Sequence, residues 1–105
     1  MIYAEFFMKG KMPVGFRITG HSGFSETGTD IVCAAVSSAA YLTANTVTDI
    51  LHVSAEVSVK DGSMVLHIPE KSAAACSVLL RGFRLHMSAL QQQYSENITL
   101  TDTEV

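Results

Sequence analysis

Leu51-His52-Val53-Ser54-Ala55-Glu56-Val57-Ser58-Val59-Lys60 runs into Asp61-Gly62 and then Ser63-Met64-Val65-Leu66-His67-Ile68. In the first run Leu51, Val53, Ala55, Val57 and Val59 alternate with polar residues, the period of a strand with one buried face. Asp-Gly between two such runs is a strong hairpin signal, because the favoured two-residue turn needs positive φ at both central positions. The turn sets Lys60 opposite Ser63, so that Val59 meets Met64, Val57 meets Leu66 and Ala55 meets Ile68. Each apolar residue then faces an apolar partner, and the register is self-consistent. It also places His67 opposite Glu56.

Upstream, a helical pattern from about Asp30 to about Ile50 carries Val32, Val36, Ala39, Thr43, Val47 and Ile50 on one stripe. Before it, Ile2, Ala4, Phe6 and Met8 alternate with Tyr3, Glu5 and Phe7. After Lys9-Gly10-Lys11, Val14, Phe16 and Ile18 alternate with Gly15, Arg17 and Thr19, which predicts a first hairpin. Downstream, residues 71–94 place Cys76, Leu79, Leu80, Phe83, Met87, Leu90 and Tyr94 at helical spacing, and a short strand follows near Asn97–Thr101. The order ββαββαβ predicts an α+β fold. Its sheet would be mostly antiparallel or mixed, with both helices packed on one face.

The 105 residues suffice for a single domain spanning 1–105, and 48% of them are apolar. No continuous apolar run reaches the ~18 residues of a membrane span. The start Met1-Ile2-Tyr3-Ala4-Glu5 lacks the basic region of a secretory signal, so a cytoplasmic location is expected. Two cysteines make no disulfide framework and are expected as free thiols. A net charge of −3, with seven scattered Lys and Arg residues, speaks against direct nucleic-acid binding and is compatible with a basic protein partner, though so small a charge would steer only weakly. No membrane partner is expected. Tyr3 and Phe7, on the outer face of the first strand, hint at an aromatic interface patch.

The chemistry concentrates between Gly20 and Ser37. His21 precedes an eleven-residue segment holding Gly23, Phe24 and Gly28, and Cys33 follows it in the first turn of the predicted helix. Unpaired N–H groups and the helix dipole favour an anion there. An imidazole folded back across the loop would hold a thiolate, the requirement for a cysteine nucleophile. Asp30, Cys33 and Ser37 share one helical face, away from the aliphatic stripe. Asp30 would cap the helix through the Cys33 N–H, and could also orient the imidazole. Ser37 would donate to the thiolate or to a substrate carbonyl, or else bond back to its own helix. Gly20, Gly23, Phe24 and Gly28 make the segment a candidate lid. Cys76 lies on the apolar stripe of the second helix and reads as core. His52 and His67 read as polar-face residues, and His86 has no acidic or thiol neighbour at helical spacing. No metal site and no cofactor are expected, since no ligand pair has structural-zinc spacing.

Gly20-His21, followed by Gly28-x-Asp30-Ile31-Val32-Cys33-Ala34-Ala35-Val36-Ser37, resembles the signature of the ribosomal-processing cysteine protease family, Prp. The element order agrees along nearly the whole chain. The resemblance implies a small cytoplasmic, usually homodimeric bacterial endopeptidase. Such enzymes remove the N-terminal extension of large-subunit ribosomal protein twenty-seven by cutting after an aromatic residue. It implies His21 and Cys33 as the catalytic pair and Asp30 and Ser37 as supporting residues. On this reading backbone N–H groups at the start of the first helix receive the oxyanion. The alternative is a non-catalytic ribosome-assembly adaptor binding a basic ribosomal protein, with Cys33 an incidental helix-cap thiol. A thiol redox role has less support, because no resolving cysteine lies near Cys33.

Overall fold

The computed structural model describes residues 1–20 and 30–105. Strands β1 (Ile2–Lys9) and β2 (Met12–Gly20) form the first hairpin. Helix α1 (Ile31–Asn45), strands β3 (Glu56–Lys60) and β4 (Ser63–His67), helix α2 (Ala73–Gln93) and strand β5 (Ile98–Glu104) follow. The five strands form one sheet in the order β3-β4-β2-β1-β5. Three pairings are antiparallel, and β5 lies parallel to β1. The fold is α+β with a mixed sheet, as the periodicities predict.

Ile2, Ala4, Phe6, Phe16, Leu66 and Ile98 share one buried cluster with Val32, Val36 and Ala40 of α1 and with Cys76, Leu80, Phe83 and Met87 of α2. Both helices therefore cover the same sheet face. At its centre the Phe83 ring lies 5.5 Å from Phe6 and 4.8 Å from Phe16, tilted or edge-on as aromatic quadrupoles prefer. On the opposite face Phe7 is buried with Val14 and Ala73. His67 stacks on its ring at 4.9 Å, and the Arg17 guanidinium lies 5.6 Å from its centroid. Tyr3 stays exposed. The two side chains therefore make no joint exposed patch.

Val14 does not follow the simple alternation. The register shifts between Phe7 and Met8, with Phe7 opposite Gly15 and Met8 opposite Pro13. This bulge leaves Val14 as the extra residue and turns it to the Phe7 side, away from Phe16.

The second hairpin keeps the predicted register from Lys60–Ser63 through Val59–Met64 and Val57–Leu66 to Glu56–His67. Its turn needs positive φ at Gly62 only, where φ is +74°. Residues 51–55, expected to extend the strand, instead close off the preceding helix. After α1 the chain widens into a π-helical turn, Thr46–Ile50. The Leu51 N–H then bonds the Thr46 carbonyl, the Val53 N–H bonds Val47, and the Ala55 N–H bonds Val53. Those donors are spent, so no ladder forms there. Val53 and Ala55 still pack on the core, which is why their alternation resembled a strand. Ile50, expected on the buried stripe, is exposed beyond the point where the helix loosens. The helical stretch Ile31–Ile50 has mean hydropathy 1.3 and enough length to cross a bilayer, but its valine stripe is core.

Candidate active site

Asp30 begins α1 with extended backbone, and its Oδ1 accepts the N–H groups of Val32 at 2.9 Å and Cys33 at 3.0 Å. Its carbonyl accepts the Ala34 N–H at 3.1 Å. Asp30 is itself buried. The expected cap is in place, and it fixes Cys33 in the first turn of the helix. The same bonds narrow the set of expected oxyanion donors at the helix start. The N–H groups of Val32, Cys33 and Ala34 are all committed to Asp30, so that run of the helix start has no donor to give a substrate.

Cys33 is half-buried and borders a cleft of about 270 Å³. The floor is Ile2, Ile18 and Met64, one wall is α1, and the other is the β3–β4 hairpin. Ser37 is exposed in the same cleft, one turn beyond Cys33. Thr43 and Thr46 bond back to helix carbonyls, whereas among the described residues Ser37 Oγ has no such bond. Its hydroxyl lies at the cleft without being bonded to a carbonyl of its own helix.

Gly20 forms the cleft rim where β2 ends. Its φ is +89°, and a β-carbon there would overlap the Met1 carbonyl oxygen. Its N–H bonds the Gly62 carbonyl at 2.9 Å, tying β2 to the second hairpin turn. Glycine is thus required at the point where the chain leaves the sheet beside Cys33. His21, Gly23, Phe24 and Gly28 lie outside the described residues.

Cys76 provides the contrast. It is fully buried on α2, and burial pushes its thiol above the ordinary value. His67 faces Glu56 as predicted. His52, expected on a strand, sits in the loop after the π-helical turn with φ +55°. No cluster of metal-ligating side chains occurs among the described residues.

The sequence reading missed Tyr41, Val59 and Lys60, all of which border the cleft. Tyr41 had a signal, because Cys33, Ser37 and Tyr41 recur at every fourth position on one helix face. Val59 and Lys60 had none, since only the tertiary fold brings that hairpin to α1.

A family model described as Cysteine protease Prp matches residues 1–99. The Ribosomal processing cysteine protease Prp of Bacillus subtilis (strain 168) is 23% identical over 94 residues, covering 84% of each chain. Among solved structures, the essential ribosomal processing protease Prp from S. aureus with a covalently linked product peptide superposes with TM-score 0.89 at 20% identity. That match covers 98% of this chain and 100% of the other. The S. aureus structure with a substrate peptide gives 0.84 at 19% identity, with the same coverage. SMU.848 from Streptococcus mutans gives 0.78 at 28% identity, covering 100% of this chain and 96% of that one.

Proposed function

Because the chain belongs to the cysteine protease Prp family, we propose that Cys33 is its nucleophile and His21 the general base and acid serving it. The protein is a cysteine protease and acts on a protein substrate. The observation carrying the assignment is the cleft: Cys33 and Gly20 border one opening, and His21 is the next residue after Gly20 in the sequence. Cys76, sealed in the core, offers no competing thiol.

His21 takes the Cys33 proton and the sulfur adds to the scissile carbonyl. The tetrahedral intermediate collapses with C–N cleavage, and protonated His21 gives its proton to the leaving amine. Water, deprotonated by His21, then hydrolyses the thioester and releases the acid and the free thiol. Asp30 is a positioning residue, holding Cys33 through the helix cap. Ser37 Oγ donates to the oxyanion or the adjacent substrate carbonyl, a role its open hydroxyl in the cleft supports.

The substrate in this reading is the N-terminal extension of large-subunit ribosomal protein twenty-seven, cut after an aromatic residue. In its support, the relatives are named ribosomal processing proteases, and the cleft lining of Ile18, Val36, Val59 and Met64 suits one aromatic side chain. The protein would work in the cytoplasm as a homodimer, for which the exposed Leu42 and Val78 beside the groove between α1 and α2 supply apolar surface. Sedimentation at micromolar concentration checks that state. The decisive experiment is cleavage of a synthetic extension peptide. Cys33→Ser and His21→Ala should abolish it while Cys76→Ser retains it, and undiminished cleavage by either of the first two would overturn the assignment.

A further inference from the structure

β3 is one of the two edge strands of the sheet, paired with β4 on one side and with no strand of described residues on the other. All five of its residues are exposed. An open edge presents unpaired N–H and C=O groups onto which an extended chain can add. The register identifies those groups. Lys60 and Ser63 close the two-residue turn, and the pairs beyond run to Glu56–His67. A hairpin of this length closes on a hydrogen-bonded pair, after which bonded and non-bonded pairs alternate. Lys60, Ser58 and Glu56 therefore direct their backbone groups to β4, and Val57 and Val59 turn theirs to the open edge.

The side chains of Val57 and Val59 share the face of Leu66 and Met64, which are buried, yet they remain 42% and 50% exposed. Neither helix covers this border of the sheet. The strip ends at the candidate active site, because Val59 and Lys60 form the cleft wall facing Cys33 and Ser37. A cleft of about 270 Å³ holds one or two side chains, so the rest of a peptide substrate must find its contacts outside it.

We propose that β3 is the docking strand for the substrate. The peptide segment beside the scissile bond adds to the five-stranded sheet at this edge. It bonds the backbone of Val57 and Val59, rests its apolar side chains on theirs, and leads the scissile carbonyl into the Cys33 cleft. This mode of recognition draws affinity from main-chain hydrogen bonds and so tolerates varied sequence outside the cut site. Five residues of strand span roughly 17 Å, so about four or five substrate residues are held. The proposal rests on the protease reading above.

The test uses the intact protein and a synthetic peptide of the ribosomal-protein extension, N-methylated at one amide at a time. KM should rise about tenfold, the loss expected for a backbone hydrogen bond, at alternate residues only, with kcat changing less. Val57→Pro removes an edge-facing N–H while sparing the ladder to β4, and should raise KM similarly with little change in melting temperature. Ser58→Pro, which breaks the ladder, should lower the melting temperature instead. In Cys33→Ser protein the peptide should slow hydrogen exchange of the Val57 and Val59 amides. If wild-type protein cleaves the peptide but no alternate pattern and no protection appear, the docking proposal is overturned and the protease reading stands. If wild-type protein does not cleave it, both fall.

Discussion

Asp30 shows how one side chain can serve both folding and chemistry. Its Oδ1 takes two N–H groups at the helix start, and one of them belongs to Cys33. Removing the cap by Asp30→Ala should cost about 1 kcal/mol, the usual worth of an N-cap oxygen, and should loosen the turn that carries the sulfur. Asn caps nearly as well as Asp but carries no charge. Asp30→Asn should therefore melt within about 0.5 kcal/mol of wild type. If Asp30 acts by positioning alone, kcat of the Asn variant should also stay close to wild type. A large fall in kcat at unchanged stability would instead assign the carboxylate charge to orienting the imidazole. Melting curves and peptide cleavage on the two variants separate these roles.

At the scale of elements, the second hairpin was legible because its turn and its alternation are local. The first hairpin was legible except for one residue, Val14, since a bulge shifts phase without leaving a mark in the pattern. The end of α1 was misread for a similar reason. Val53 and Ala55 are half-buried at period two, and burial alone does not distinguish a strand from a chain bonding back to a π-helical turn. Gly15 is another feature that local pattern could not interpret. It sits in β2 opposite His67, between the Phe7 ring and β4, and a β-carbon there would run into the Leu66 carbonyl oxygen. Gly15→Ala should thus push β2 away from β4 and cost about 1–3 kcal/mol, the usual range for overpacking. Thermal denaturation checks the loss. Because β2 and β4 also supply Ile18, Ser63 and Met64 to the cleft, cleavage should weaken along with stability.

Across the whole molecule, the core and the cleft share some residues and not others. Asp30, Cys33 and Ser37 were readable as a group because they lie on one helix within eight residues. The hairpin wall opposite them depends on where the sheet carries β3, which no local pattern records. Phe83 lies at the centre of the core between Phe6 and Phe16 and does not border the cleft. Met64 is buried in the same cluster but also forms the cleft floor. Phe83→Ala should therefore cost about 3–5 kcal/mol and Met64→Ala about 2–5 kcal/mol, both through lost burial and the cavity left behind. Measured well below each variant's melting temperature, the two should part company. Phe83→Ala should keep kcat/KM near wild type, because the walls around Cys33 are unaltered. Met64→Ala should raise KM, because the surface that receives the substrate side chain has been cut back. Equal losses of kcat/KM in both variants would mean that the cleft is shaped by the packing of the entire core and not by the residues that border it.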